Sequence, residues 1–455
     1  MTLLAPLCRS VGLALLGALA ASQAMAQAWW DSAPKGIPDP SVATSLPSNG
    51  DPWGWRQWLS ERGVVFGIEH TQDVLSNLRG GRQTGTVQQG KVQEIITVDL
   101  EKLAGARGLS FFANMFQIYN DGRIRRDYVG GINTIAAIEA MPSTRLSELW
   151  LEQKFAGDKA SIRIGQLAAD SEFFYSELST MFLQSDWPTI AAANLPGGGA
   201  AYPLSTPGVR LKIEPMKDVA WFFAVLNGNP ARPDTDPELS NRHGLNFRVN
   251  DPPFLISEVQ FTRNNDKKDV GLASTLKLGG WYHTGAFADN RYANDGLPLA
   301  DPMSTGIARQ HNGDYGVYAI IDQQLYRPPG GDNQSGISVF SRISASPNDR
   351  NQISFYVDGG IIFANLFASR PDDRFGASVI FSKFSKGVRG FEADVFAFTG
   401  VPEVVQTYEA NLELTYVAQI VPGWTIQPDL QIIWRPDGGV WPNAMVLGAR
   451  SLLRF

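Results

Sequence analysis

Charged side chains placed singly inside apolar runs are the first chemical feature of this chain. Glu152 and Lys154 alternate with Leu149, Leu151 and Phe155, and Arg210 and Lys212 alternate with Val209, Leu211 and Ile213. Glu409 and Asp429 lie in similar stretches, as do Arg163, Glu258, Lys277, Asp322, Arg342 and Arg450. A second group is compact: Gln166, Asp170, Glu172, Phe173, Phe174 and Trp187 precede the glycine run 197–199. Charges of both signs, amides and aromatic planes can hold a polar solute without reacting with it. Catalysis finds no support. There is no G-x-S-x-G elbow, H-E-x-x-H helix or P-loop, and the four histidines lie far apart in sequence. The acid pair Asp372–Asp373 reads as turn capping and not as glycosidase chemistry. No cofactor and no metal are expected, and a formal net charge of −6 disfavours a nucleic-acid partner.

The elements that carry these charges read as strands. A period of two with charge on one face and Leu, Ile, Val or Tyr on the other describes a sheet that is wet on one side and apolar on the other. Such strands run through 147–155, 209–214, 407–420, 425–435 and 444–455. Short turns at 105–108, 156–159, 214–218, 370–374 and 421–423 alternate with long polar segments at 120–145, 168–207, 227–253, 288–312 and 386–405. That asymmetry, with strands of about ten residues, is the pattern of a transmembrane antiparallel β-barrel. Counting back from Phe455 gives about sixteen strands. The stretch 243–261 reads as one bulged strand or as two, and two would raise the count to about eighteen. Phe111, Phe112, Trp221, Phe222, Trp281, Tyr282, Tyr315, Tyr318, Tyr416, Trp424 and Trp434 sit near strand ends, as interfacial girdles do. A soluble β-sandwich also alternates, but would not need charge on every polar face.

The first residues expect export. Arg9, an apolar run over 11–21 and the small residues Ala24 and Ala26 describe a signal peptide over 1–26, with Gln27 as the new N-terminus. Cys8, the one cysteine, falls inside it. Residues 27–62 read as a Pro-rich periplasmic leader with a short helix capped by Asp51, started by Pro52 and ended by Gly63. Trp55, Trp58 and Leu59 share one face, which suits packing at a barrel entrance. The barrel itself is expected over 63–455.

Several stretches resemble one family. Residues 408–416 (YEANLELTY), 421–424 (VPGW), 427–431 (QPDLQ) and 443–450 (NAMVLGAR) resemble the C-terminal signature of carbohydrate-selective porins, the OprB family. Residues 151–155, 164–166, 170–174, 278–284 and 370–374 are similar to further stretches of it. The resemblance implies a sixteen-stranded outer-membrane pore for glucose and related sugars in a Gram-negative bacterium, with extracellular loops folded inward. On that reading, charged and amide groups would meet sugar hydroxyls and aromatic planes the sugar's C–H face. The 168–207 loop is the candidate constriction. Arg123, Arg125 and Arg126 would face the pore or bind lipid phosphates of the outer leaflet. The strand ending in Phe455 resembles the signal read by barrel-assembly machinery. Monomer and homotrimer both remain open. The alternatives are a general or anion-preferring porin, which needs Lys and Arg to dominate the narrowest point, and an outer-membrane barrel enzyme.

Overall fold

The computed structural model describes residues 36–455 apart from 234 and 368. The expected signal peptide, 1–26, and residues 27–35 of the leader lie outside the described residues. The strands are β1 (Val64–Arg79), β2 (Gly85–Asp99), β3 (Leu109–Asn120), β4 (Ser143–Phe155), β5 (Ala160–Leu167), β6 (Thr206–Met216), β7 (Val219–Asn227) and β8 (Pro253–Arg263). They continue as β9 (Ser274–Ala293), β10 (Ala308–Tyr326), β11 (Gly336–Ala345), β12 (Ile353–Ala364), β13 (Arg374–Phe384), β14 (Tyr408–Val421), β15 (Trp424–Trp434) and β16 (Ala444–Arg454). Each pairs antiparallel with its sequence neighbour, and β1 pairs with β16 to close the sheet. Closure matters because an open sheet edge in hydrocarbon would leave peptide groups without partners. Phe455 completes it: its N–H donates to the Ile68 carbonyl at 2.8 Å, and the Ile68 N–H returns the bond at 2.9 Å.

Alternation decides which way each side chain points. In β14, Glu409, Asn411, Glu413 and Thr415 are buried in the lumen, while Leu414 faces out. The stretch 243–261 resolves into loop to residue 252 and a single strand, β8, so the sheet has sixteen strands and not eighteen. The expected aromatic girdle is only partly present. Trp221, Tyr282, Tyr315 and Trp434 face outward, but Phe112, Phe222, Trp281 and Tyr318 are buried inside. Adjacent aromatics in one strand must split between the two faces, so the pairs 111–112, 221–222 and 281–282 could not all serve a girdle.

Three other expectations change. The 288–312 loop shortens to 294–307, because β9 and β10 continue as a hairpin with register shifts near Gln310 and Asp314. The extension packs against the Lys386–Thr399 helix, where Arg291 pairs with Asp394 at 2.7 Å, and its residues there are polar and not an apolar alternation. The 386–405 segment holds a helix, Lys386–Thr399, whose signals were legible: Ser385 caps the Val388 N–H, and Gly400 ends the helix at φ 68°. The leader helix, α1 (Trp55–Glu61), starts after Gly54 at φ 70°, later than Pro52 predicted, with Asp51 accepting the Gln57 N–H at 3.1 Å. It packs at the barrel rim, but by the opposite face. Arg56 is its buried residue, donating to the Phe66 carbonyl at 3.0 Å and lying 4.9 Å from the ring centres of Phe66 and Phe455. Trp55 and Trp58 stay exposed. The rim offers a carbonyl and two π faces, which suit a guanidinium better than an indole.

Short turns between strands are pinned to neighbouring hairpins. Asp373 accepts from the Arg370 guanidinium at 2.8 Å, the Gln419 N–H at 3.1 Å and the Tyr416 hydroxyl. The acid pair therefore ties the β12–β13 turn to β14, beyond capping its own turn. Asp373→Ala should lower stability by about 2 kcal/mol, read as a lower urea midpoint in lipid vesicles; an unchanged midpoint would contradict this role.

Candidate functional site: a constricted lumen

Two extracellular loops fold into the barrel, and the inward wall charges hold them. The β5–β6 loop, residues 168–205, crosses the lumen from one side of the sheet to the other. Near its start, Glu172 bridges Arg163 at 3.4 Å and Arg210 at 2.8 Å, while Glu152 takes the same two arginines at 3.0 Å each. Next, the Phe174 N–H donates to Glu258 at 2.9 Å, and the Glu177 N–H donates to Asp322 at 2.9 Å. Lys277 donates to the Tyr175 carbonyl at 2.8 Å, and Arg342, paired with Asp358, donates to the Asp186 carbonyl at 3.0 Å. On the far wall Glu413 accepts the N–H groups of Leu183 and Gln184 at 2.8 and 2.9 Å, and Gln427 donates to the Met181 carbonyl at 2.7 Å. Buried peptide groups need partners, and the wall supplies them.

The β3–β4 loop, residues 121–142, is held in the same way. Glu409 accepts the N–H groups of Ile132 and Asn133, both at 2.8 Å, and Gln431 donates to the Ile135 carbonyl at 2.8 Å. The two loops bond to each other: the Ala137 N–H donates to the Leu183 carbonyl at 2.8 Å, and Thr189 donates to Asn133 at 2.9 Å. The constriction therefore belongs to both loops, whereas the sequence singled out one.

Three cavities lie within the lumen. An outer vestibule of ≈ 410 Å³ is lined by the two loops, including Arg125, Arg126, Glu139 and Asp236. Arg125 and Arg126 thus face the water path, not the lipid. Below lies a narrow cavity of ≈ 90 Å³, bounded by Glu69, Lys91, Asp170, Asp186, Trp187, Tyr202, Arg342 and Arg450. A periplasmic cavity of ≈ 560 Å³ follows, lined by Glu152, Lys154, Arg163, Glu172, Arg210 and Lys212.

Charge at the narrow point is mixed. The Lys91 ammonium stands 4.8 Å from the Phe116 ring centre and 5.2 Å from that of Tyr202. Arg450 is bound to Asp73 at 2.7 Å, and Arg454 to Glu69 at 2.9 Å. Burial pushes the Asp170 carboxyl up to about 7, although the Tyr202 N–H donates to it at 2.8 Å. Burial also raises Asp186 to about 6, against the Trp187 N–H and Arg342. Glu172 goes the other way: burial opposes its charge, but Arg163 and Arg210 outweigh burial and hold it below the ordinary carboxylate range. Among the described residues the Trp187 indole N–H has no partner, though the side chain is buried beside the narrow cavity.

The sequence candidates fall into three groups. Asp170, Phe174, Trp187 and Arg450 line the narrow cavity, with Arg342, and Glu152, Lys154, Arg163, Glu172, Arg210 and Lys212 line the periplasmic one. Glu258, Asp322, Lys277 and Glu409 point inward but spend their hydrogen bonds on loop backbone. Asp429 is buried behind them, accepting from Gln431 at 2.9 Å. Gln166 turns away from the channel, and Phe173 is buried inside the barrel beneath the β5–β6 loop. Gln166 donates to the Gly244 carbonyl at 2.9 Å, and Phe173 packs edge-on against Phe222 at 6.1 Å. Lys91, Asp186 and Tyr202 are residues the sequence reading missed. Lys91 had a signal, since Gln89, Lys91 and Gln93 alternate inward along β2. Asp186 and Tyr202 had none, because loop residues carry no period.

The raised acids set a pH dependence. A carboxyl with a raised pKa is neutral below it and anionic above it, so the narrow cavity gains negative charge from about pH 5 to about pH 8. Cation preference, measured as the reversal potential across a planar bilayer under a salt gradient, should rise over that window. Asp186→Asn should flatten the lower part of the rise; an unchanged profile would show that Asp186 does not face the ion path.

Comparison with known proteins agrees with this geometry. Residues 83–455 match the model of the carbohydrate-selective porin family, OprB. Porin B of Pseudomonas aeruginosa is 25% identical over 427 residues, covering 88% of this chain and 89% of that protein. The high-pH structure of Pseudomonas putida OprB superposes with a TM-score of 0.79 at 21% identity, covering 90% of this chain and 98% of that one. The low-pH structure of the same protein gives 0.55 at 16% identity, covering 89% of this chain and 97% of that one. With a closed sixteen-stranded barrel, loops drawn into its lumen and a family model spanning most of its length, this chain belongs to the OprB family of carbohydrate-selective porins.

Proposed function

We propose that the barrel passes monosaccharides such as glucose by passive diffusion, and that the two inward loops select them. As a porin of this family the protein is a channel of the Gram-negative outer membrane and not an enzyme. The observation that carries the finer reading is the narrow cavity. There Lys91, Asp170 and Asp186 stand beside the Trp187 and Tyr202 rings and the unpartnered Trp187 N–H. Donors, acceptors and aromatic faces in one small volume suit a ring of hydroxyls with an apolar face. A passing sugar would exchange water for these groups one at a time, and several weak contacts let it leave again.

An anion-preferring pore is the less favoured reading. At the narrow cavity Glu69, Asp170 and Asp186 face Lys91, Arg342 and Arg450, so cations do not dominate it. The wall charges bound to loop backbone act indirectly, by fixing where the narrow point lies. The C-terminal strand is proposed to be read by the barrel-assembly machinery, since Phe455 closes the sheet against Ile68.

Swelling of liposomes that contain the refolded protein tests the reading. Glucose should permeate faster than a disaccharide, and faster than a charged solute of similar size. Equal rates for neutral and charged solutes would remove sugar selectivity, and no permeation would remove the pore. Trp187→Ala should change sugar flux more than ion conductance. Phe174→Ala should do so too, because Phe174 lines the narrow cavity and its stack on Tyr318 at 4.1 Å also holds the loop in place. Unchanged sugar flux in both would take the β5–β6 loop out of selection.

A further inference from the structure

β5 is too short to cross a membrane by itself. It has eight residues, where a tilted crossing needs about 9–11. Above Leu149, β4 has no β5 residue opposite it. The apolar outer band continues at that height on the neighbouring strands, where Met115 of β3 pairs with Leu146 of β4. The β7–β8 loop, residues 228–252, fills the gap. The Leu146 N–H donates to the His243 carbonyl at 3.0 Å, where a β5 partner would otherwise stand. Gln166 and Asn227 occupy outward positions at the tops of β5 and β7, and the same loop covers both. Gln166 donates to the Gly244 carbonyl at 2.9 Å, and Asn227 donates to Asp251 at 2.8 Å.

Beyond Gly244 the loop lies against the outside of the wall. Leu245, Phe247 and Val249 are exposed at alternate positions. Phe247 and Val249 flank an apolar groove of ≈ 520 Å³. Its floor is Ile164, Val209 and Val225, which stand in one outward row across β5, β6 and β7. Apolar side chains clustered on a loop in water would be a liability, whereas in lipid they extend the band. Two polar groups accompany the groove. Arg242 is exposed, donates to the Pro142 carbonyl at 3.2 Å and has no acid partner among the described residues. Gln166 lines the groove, and its side-chain oxygen is buried without a donor among the described residues.

We infer that this groove binds one molecule of lipid A, the phosphorylated glycolipid of the outer leaflet, with an acyl chain along Phe247 and Val249 and a phosphate on Arg242. The groove lies at the extracellular end of β5–β7, so its occupant comes from the outer leaflet. Its apolar floor suits an acyl chain. Arg242 reaches the Pro142 carbonyl, just beyond the extracellular end of β4, which is the level of the headgroups. A guanidinium free of acids there suits a phosphate, which it can hold in a fork of two bonds. The Gln166 oxygen separates lipid A from glycerophospholipids. Amide-linked and hydroxylated acyl chains carry an N–H or O–H donor into the groove, whereas a glycerol ester carries none. The inference does not depend on which solute the pore passes.

The test extracts the full chain from outer membranes in a mild detergent and reads retained lipid by native mass spectrometry. Fatty acids released from the same sample identify the lipid. The unaltered chain should retain one lipid A, recognised by its 3-hydroxy fatty acids. Arg242→Ala should lower retained lipid A by about tenfold, the loss expected for one charge-assisted bond to a phosphate. Val209→Trp, which fills the groove floor with a side chain compatible with lipid, should also lower it. Val379→Trp, on the outer wall of β13 across the barrel, should not. Glucose-driven swelling should persist in all three variants. Equal retention in all four chains, a glycerophospholipid in place of lipid A, or detergent alone would overturn the inference. Normal retention of lipid A without swelling would count against the pore reading and leave this site standing.

Discussion

A loop drawn into a barrel brings its peptide groups with it, and every one of them needs a partner there. That requirement organises the lumen. Glu258, Asp322, Glu409 and Glu413 accept backbone N–H groups from the two inward loops, while Lys277, Arg342, Gln427 and Gln431 donate to their carbonyls. A carboxylate accepting two adjacent N–H groups is a stronger and more directional anchor than a neutral pair. The constriction keeps its position because the rigid wall, and not the loop's own packing alone, holds its backbone.

The same economy of partners explains why the lumen carries both signs. A long row of one charge in a space this confined would repel itself. Instead Glu152 and Glu172 share Arg163 and Arg210, Asp73 takes Arg450, and Glu69 takes Arg454. Arg163 also lies 3.7 Å from the Trp150 ring centre, so its charge is shared between acids and a π face. What is left for a solute is the small set of groups at the narrow cavity that the loops do not use. Selectivity then follows from a few contacts set in a scaffold of satisfied ones.

Lipid acts as the opposite solvent on the outside. Alternation forces each strand to choose its outward residues one in two, and most strands present Leu, Ile, Val and aromatics. The aromatics that face inward, such as Phe112, Trp150, Phe222 and Trp281, pack beneath the β5–β6 loop as a core for it.

Much of this was legible in the chain itself. The alternation of Leu412 and Leu414 with Glu413, or of Leu430 with Gln431, is a local property, so strand identity, inward charge and a closed barrel follow from sequence. The family resemblance rested on the same terminal strands and on a chain end at Phe455. Other features needed the third dimension. Lys91 and Asp186 are 95 residues apart in sequence by their numbers, and only the path of the loop across the lumen sets both at one narrow cavity. Glu409 and Asp170 look alike as single acids beside apolar neighbours; whether an acid grips backbone or faces the channel depends on which loop reaches it. Strand period is written in neighbouring residues, whereas loop position is set by hydrogen bonds across the barrel, and no local pattern encodes those.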